Sequence, residues 1–434
     1  MTIGYTDLQH YGDIAAAIRT KGGATGQLTP AQMAAAIANI PSGSGGGDID
    51  AMIARTLSGD ITTNVTAIGA QGLAQLPGLT SVDAPNVTSV GDYGFSGCSA
   101  LTSINFQNAV TSLGVGAFEN CAQMQSVNFP NVTSLSNYLF RGCTQLTSVD
   151  APNVTSVGDY GFSGCSALTS INFQNAVTSL GAGAFERCAQ LQSVNFPNVT
   201  RLSNYLFRSC TQLASVSMEG ATGGADATYA FQSCINLSSV NLPNQTVGGM
   251  QMFTGCKSLT DVSLPSVLSV GSNMFAMDSN GAKFLSANLP SCTKVATGAF
   301  RIKPTSVSMD NWLYADRGVL LGTGVTSIAS SATNPTFQGL EYVILLATTP
   351  PTLSNAYTFT TARAGGYADY ATEGMTRKQS ARTGSNVQSY PGVFYVPDSA
   401  VSTYKSKTNW SSQNILPIGN CPYRIRDIYP YFSS

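Results

Sequence analysis

Apolar and polar positions in this chain follow a short pattern that restarts every 22 to 24 residues. One stretch places apolar side chains at Leu101, Ile104, Phe106, Val110, Leu113, Phe118 and Cys121, and the next at Met124, Val127, Phe129, Val132, Leu135, Phe140 and Cys143. The alternation in Val127-Asn-Phe129 predicts a short strand with one buried face. Pro130 lacks an N–H and fixes its own φ, so the strand ends there. The Gly, Ser and Asn residues that follow suit tight corners. The longer interval from Leu135 to Phe140 predicts a turn, helical or 3₁₀ for one round. No segment sustains the 3.6-residue period of a long helix.

The repeat is sharpest at Phe-x-x-Cys, which recurs eight times: Phe95 and Cys98, Phe118 and Cys121, Phe140 and Cys143, Phe162 and Cys165, Phe185 and Cys188, Phe207 and Cys210, Phe231 and Cys234, Phe253 and Cys256. A fixed period of this length marks a solenoid, whose units bury their apolar faces by stacking on their neighbours. Residues 79–146 return almost unchanged at 146–213, a shift of 67 positions or three units, and 79–114 are identical to 146–181. Such a duplication is tolerated only where units stack interchangeably. It lengthens a body and adds nothing obvious to a catalytic pocket.

The run Leu101-Thr-Ser-Ile-Asn-Phe106, then Val110-Thr-Ser-Leu-Gly114, Ala117-Phe118 and Cys121, resembles the BspA-like leucine-rich repeat. The likeness covers roughly residues 60 to 303. It implies a curved right-handed leucine-rich-repeat solenoid, with short parallel strands, mostly β and turns. Members of that family commonly occur on bacterial surfaces and serve in adhesion. The ordinary leucine-rich repeat has an Asn after its strand; Val87, Val110 and Val132 fall near that place, so no Asn ladder is carried over.

The ends read differently. Asp13 can cap a helix from Ile14, stopped by Gly22-Gly23, and Thr29-Pro30 opens a second, ended by Pro41. Ile14 and Ile18, then Met33 and Ile37, form the apolar faces of this α-helical module. Its residues Asp13-Ile-Ala-Ala-Ala-Ile18-Arg-Thr-Lys-Gly22, Leu28-Thr-Pro30 and Met33-Ala-Ala-Ala-Ile37 resemble a module at the head of many phage tail and fibre proteins. The likeness implies docking to a particle; the plainer reading is a helical lid. The expected order is a helical attachment module over 1–41, a Gly/Ser linker over 42–47 and an N-terminal cap over 48–78. The solenoid follows over 79–303, with degenerate repeats, an insertion and a C-terminal capping region over 304–434. In the front cap, Val65, Ile68, Leu73 and Leu76 form a degenerate unit in which Leu73 and Leu76 replace Phe and Cys. At the back, the run from Phe394 to Trp410 resembles the terminal unit of BspA-like proteins, with Asp398 or Ser399 capping a short helix that carries Val401 and Tyr404.

Charge narrows the function classes. Only 10% of residues are charged and the net charge is −1, against about 25% charged in an average soluble domain. A basic footprint for nucleic acid is absent, and no apolar run spans a bilayer, which excludes membrane insertion. The N-terminus lacks the pattern of a secretory leader. Eight of the ten cysteines sit at one coil position beside a core Phe, where Cys acts as a small buried hydrophobe. There is no Cys-x-x-Cys and the single histidine is His10, so metal, cofactor and triad chemistry find no residues. Asp83, Asp92 and Glu119 recur as Asp150, Asp159 and Glu186 and read as a solvated face.

Tyr and Arg concentrate between residues 357 and 390: Tyr357, Phe359, Tyr367, Tyr370, Arg377, Lys378, Arg382 and Tyr390. These residue types dominate binding hot spots, which makes this stretch the expected ligand site; the alternative is an unstructured surface loop. The aromatic tail from Tyr423 to Phe432 either folds back on the last coil or seals a homo-oligomer interface. The sequence thus predicts a non-enzymatic phage virion protein, tail or fibre, held through residues 1–41 to a virion structural protein. It would display a repeat surface to a host protein or glycan. A bacterial surface or secreted adhesin is the alternative, and a glycan-degrading tail enzyme a third reading.

Overall fold

The computed structural model describes residues 2–3, 59–63, 66–107, 109–173, 176–223, 227–277, 286–301, 318–329, 337, 340, 342–354, 393–411 and 413–420. The expected N-terminal helices lie outside these residues, as do Ile14, Ile18, Met33, Ile37, the 42–47 linker, Cys421 and the aromatic tail. Two compact units divide the chain, Met1–Asn244 and Gln245–Ser434. Among the described residues, no helix is long and apolar enough to cross a membrane.

In the first unit each repeat is one coil with three hydrogen-bonded sides. The first side is a row of short parallel strands, as the period-2 pattern requires, here Leu79–Asp83, Ser103–Asn105, Ser126–Asn128, Ser148–Asp150, Ser170–Asn172 and Ser193–Asn195, paired in short sheets that break after Asn105 and again after Asn172. Register follows the repeat: Ser126, Ser148 and Ser170 align, as do Asn128, Asp150 and Asn172. Val82, Val127 and Val149 point inward and are buried, and the Ser and Asn/Asp rows face solvent. The second side is made of two-residue strands such as Ser89–Val90 and Ser112–Leu113. Val87, Val110 and Val132 are buried beside it, where the ordinary repeat would carry Asn.

The third side is a run of turns, where one helical or 3₁₀ round was an open expectation. Ser96 and Cys98 donate their N–H groups within the coil, to the carbonyls of Tyr93 and Phe95, while Tyr93, Phe95 and Gly97 donate forward to Val115, Ala117 and Glu119 at 2.7–2.8 Å. Two left-handed residues per coil produce this alternation, for example Tyr138 (φ 58°) and Gly142 (φ 77°). A helix would keep all these bonds inside one coil and leave the next coil unbound.

Between the three sides runs a column of phenylalanines. Phe95, Phe118, Phe140, Phe162, Phe185, Phe207 and Phe231 stack in sequence, with centroids 5.3–5.7 Å apart. The adjoining cysteines, Cys98 through Cys234, are fully buried. They are the small buried residues that the sequence predicts, and each thiol has a second role, donating to a core carbonyl of the preceding coil. Cys121 donates to Phe95, Cys143 to Phe118, Cys165 to Phe140, Cys188 to Phe162, Cys210 to Phe185 and Cys234 to Phe207, at 3.0–3.2 Å. At the front, Leu73 supplies the carbonyl for Cys98 at 2.9 Å. Leu73 and Leu76 are both buried, so the Leu-for-Phe and Leu-for-Cys exchange of the first coil is as the sequence predicted.

The second unit keeps the phenylalanine column beyond the last Phe-x-x-Cys. Phe253, Phe275, Phe300 and Phe337 stack at 5.2–5.8 Å. Cys256 is fully buried beside the first of them, and its N–H closes the turn on the Phe253 carbonyl at 3.1 Å. From the next coil on, Phe-x-x-Cys no longer occurs in the sequence; Phe275 is followed by Ala276 and Met277, both buried. The larger sheet of this unit runs Asp261–Ser263, Ser286–Leu289, Gly318–Leu321, Tyr342–Leu345, Val393–Val396 and Ile415–Pro417. The closing region holds the short helix Val401–Ser406. Tyr404 donates to the Ala347 carbonyl (2.8 Å), Trp410 to that of Pro351 (2.7 Å), and their rings meet edge to face. Neither Asp398 nor Ser399 caps that helix, contrary to expectation. A 3₁₀ turn, Asp398–Ala400, precedes it, and the Asp398 carboxylate accepts the Gly419 N–H instead. Cys292 is buried, with its thiol directed to the Lys294 carbonyl.

Burial dominates the thiol chemistry. Desolvation pushes Cys98 up to about 11 and Cys143 and Cys292 up to about 12, and raises Cys121, Cys165, Cys188 and Cys210 well above the usual thiol range. Below about pH 9 folded and unfolded thiols are both protonated, so their contribution is fully present. Above it the unfolded chain ionises first, and each buried thiol then loses about 1.4 kcal/mol of stability per pH unit until its folded value is reached. The urea midpoint is expected to stay flat from neutral to about pH 8 and fall steeply above about 9. Fast thiol labelling of the folded protein at pH 8 would contradict the buried column.

Gln245 stands where Val87, Val132, Val154 and Val199 follow Pro-Asn in the first unit. It is fully buried; its amide nitrogen donates to the Val247 carbonyl and, among the described residues, its Oε1 meets no partner. An orphaned buried acceptor costs about 1–3 kcal/mol, and the bond to Val247 returns about 1 kcal/mol. Gln245→Val removes both and is expected to raise stability by about 1 kcal/mol, read as a higher denaturation midpoint.

Candidate functional site

Two residues before each core Phe the chain turns through a left-handed conformation. In the first unit the residues there are Tyr93, Gly116, Tyr138, Tyr160, Gly183, Tyr205 and Tyr229, with φ from 54° to 59°. Glycine adopts this conformation freely, whereas tyrosine does so at a cost of about 1 kcal/mol or more. Tyr93, Tyr138, Tyr160 and Tyr205 are held there by forward amide bonds, such as Tyr138 N–H to the Asp159 carbonyl at 2.8 Å and Tyr205 N–H to that of Thr228 at 2.9 Å. Strain of this kind persists where the surroundings over-determine it, and it gathers at functional sites.

Because the corners are in register, the tyrosines form one edge. Tyr138 stacks on Tyr160 at 5.7 Å and Tyr205 on Tyr229 at 5.2 Å, the rings within 6° of parallel. Tyr93 and Tyr160 lie against Gly116 and Gly183, where a Cβ would come within 2.6 and 2.5 Å of the ring. All five phenols are half-buried and keep part of their surface open to solvent.

Charge is added at two places on this edge. Arg141 lies over the Tyr138 ring (5.0 Å) and pairs with Glu119; Arg208 lies over Tyr205 (5.6 Å) and pairs with Glu186. The carboxylates are largely buried, with side chains 10% and 12% exposed, while the arginines keep 49% and 38%. Glu119 and Glu186 are therefore anchors for arginine and not a solvated face. Asp92 and Asp159 are exposed, yet each carboxylate accepts an N–H from the next coil, Val115 and Ala182, at 2.8 and 2.7 Å. Asp83 and Asp150 likewise accept the side-chain amides of Asn105 and Asn172 at 2.7 Å. The four aspartates thus face solvent as the sequence predicts and also bridge coils, whereas Glu119 and Glu186 depart from that reading because their arginine partners sit one coil away.

Tyr160 has its phenol held above the usual range, first by desolvation and then by nearby Glu186, so it stays a neutral donor. The edge thus offers rigid ring surface, neutral hydroxyls and two fixed guanidinium groups. Such an arrangement suits binding. Among the described residues, no group of three His, Cys, Asp or Glu side chains converges as metal ligands would.

Tyr357, Phe359, Tyr367, Tyr370, Arg377, Lys378, Arg382 and Tyr390 lie outside the described residues. The tyrosine edge was missed in the sequence although its signal was present: Tyr-x-Phe-x-x-Cys occurs in five of the eight units, at Tyr93, Tyr138, Tyr160, Tyr205 and Tyr229.

The family model of the BspA type leucine rich repeat region matches residues 66–153, 133–227 and 199–307, more than half of the chain. This chain belongs to the BspA-type leucine-rich repeat family. Among solved structures, it is similar to a leucine-rich cell surface protein from Faecalibacterium prausnitzii, at 23% identity over 60% of this chain and 82% of the other, with a TM-score of 0.39. A leucine-rich repeat protein from Bacteroides ovatus matches at 21% identity over 63% and 79%, with a TM-score of 0.45. No curated protein matches the sequence. The BspA-type match begins at residue 66 and lends nothing to the phage-module likeness of residues 13–37.

Proposed function

We propose that this BspA-type chain is a non-enzymatic adhesion protein, exposed on a bacterial surface, that grips a macromolecule on a facing host surface through its tyrosine edge. One observation carries this reading: five strained tyrosines and two anchored arginines recur at one corner of a coil whose other outward rows are mostly Ser, Thr, Asn and Asp. Packing alone does not call for tyrosine there, because glycine stands at the same corner in Gly116 and Gly183. Tyr and Arg are the residues that concentrate binding energy, and stacked rings lose little freedom on contact. The adhesive role that the family likeness implies agrees with this.

A second reading keeps the binding edge and changes its carrier. The residues Asp13-Ile-Ala-Ala-Ala-Ile18 and Met33-Ala-Ala-Ala-Ile37 favour a phage tail or fibre, with residues 1–41 as the attachment module. Mass spectrometry of the producing strain separates the two: the protein in the cell-envelope fraction supports the first, and in purified virions the second. The Tyr and Arg residues of 357–390 are a further proposed contact, tested by Tyr367→Ala, Tyr370→Ala and Arg377→Ala together.

Replacing Tyr93, Tyr138, Tyr160, Tyr205 and Tyr229 by Asn tests the edge itself. Asn tolerates the left-handed conformation, and Asn273 already adopts it with φ 54°. Binding of the labelled protein to a panel of intact bacterial and animal cells is expected to fall at least about tenfold, the loss of a single modest hot spot, with the fold intact by circular dichroism. Undiminished binding by this variant would end the reading.

A further inference from the structure

We infer that the ligand of this edge is a linear, essentially uncharged polysaccharide that occupies two equivalent subsites three coils apart. The inference rests on the binding role proposed for the tyrosine edge and adds the class of ligand. One subsite comprises Tyr93, Glu119, Tyr138 and Arg141, and the other Tyr160, Glu186, Tyr205 and Arg208. Every member of the second lies 67 residues after its counterpart. The contacts repeat as well: the ring of Tyr93 or Tyr160 against a glycine, the Glu–Arg pair, and the guanidinium over the second tyrosine.

The in-register stack fixes how the two subsites are related. Parallel neighbours sit about 4.8 Å apart, so three coils separate the subsites by roughly 14 Å, in the same orientation along the stack. A ligand that fills both must itself repeat along a line, with one sense of direction. Linear polymers have that property, and a folded protein surface does not in general. A spacing of this size is within reach of a short run of sugars.

Chemistry selects among polymers. The arginine over each tyrosine is matched by its own buried carboxylate, so the Glu–Arg pair carries no net charge. Beside it lie an exposed aspartate, Asp92 or Asp159, and, in the second copy alone, the exposed Arg187 where the first has Asn120. A polyanion such as nucleic acid draws its affinity from several unpaired cations, and these mixed, mostly paired charges do not make such a row. What remains is phenol, ring edge and fixed N–H donors, which suit the hydroxyl rims and C–H faces of sugars. Two weak subsites on one chain raise affinity by effective concentration, about 10²–10⁴-fold, without any new contact.

The probe is neutral surface polysaccharide, extracted from a cell type that binds the parent protein and cut by mild acid into size classes. Fragments long enough to span both subsites are expected to bind at least about 100-fold tighter than fragments that fill one. Tyr138→Asn alone, or Tyr205→Asn alone, should bring the long fragments down to the short-fragment level while changing short-fragment affinity no more than about twofold, since one of two sites remains. Deleting residues 80–146 removes one subsite in phase and should do the same. Length-independent binding, or a loss seen with only one of the two substitutions, overturns the two-subsite inference while leaving the binding edge in place. Cell binding that still depends on the five tyrosines, without binding of any polysaccharide fraction, means a protein ligand and overturns the class. Cell binding independent of the tyrosines sinks the proposed function itself.

Discussion

Everything in the first unit depends on one constraint: a coil cannot satisfy its own backbone and must hand its hydrogen bonds to the next coil in register. Leu79 to Cys98 is too short to enclose a core. It closes only because Tyr93, Phe95 and Gly97 donate forward and because the strands align Ser on Ser and Val on Val or Ile. The Phe column and the thiol-to-carbonyl bonds sit inside that frame. Core carbonyls accept twice, from the N–H of their own turn and from the thiol of the following coil, as Phe118 does from Cys121 and Cys143, and Phe207 from Cys210 and Cys234. The cysteine is thus a spacer small enough for the stack and a donor that fills a second lone pair.

The same constraint explains where freedom for function remains. Inward positions are fixed by packing, and strand positions by register. The left-handed corner before each Phe is fixed in backbone but open in side chain, since glycine, tyrosine, glutamine (Gln251) and asparagine (Asn273) all occupy it. A position with a rigid backbone and a free choice of side chain is a good place to mount a binding group, because little conformational entropy is lost on contact.

The solenoid, its strands, the buried cysteines and the leucine-for-phenylalanine front coil were all legible in the sequence. Each rests on a spacing within the coil that recurs at a fixed period. What sequence reading missed rests on contacts between coils, 22 to 24 residues apart. The cysteine thiol looked like a hydrophobe because its acceptor belongs to the preceding coil. Glu119 looked solvated because Arg141 lies one coil on. The tyrosine edge is hidden because Tyr sits two places upstream of Phe and gives way to Gly116 and Gly183. All three features lie in register once the repeats are aligned by their period.

In-register stacking also accounts for the low charge of the chain. Equivalent residues of neighbouring coils lie about 4.8 Å apart, and like charges placed directly opposite are destabilising. A charged residue repeated in every coil would therefore build a repulsive column. Along the first side the outward row reads Asp83, Asn105, Asn128, Asp150, Asn172, Asn195, Ser217 and Asn241, with no two carboxylates on successive coils. Asp92 and Asp159 are separated in the same way by Val115 and Asn137. On the tyrosine edge Glu119 meets Arg141, and Glu186 meets Arg208, so adjacent charges have opposite sign. Copying a single coil would have set Asp on Asp. Copying three coils keeps like charges roughly 14 Å apart, beyond the screening length of about 8 Å at physiological salt. The three-coil block is thus a unit that can be repeated without electrostatic penalty, and it is the unit that carries one complete copy of the binding edge.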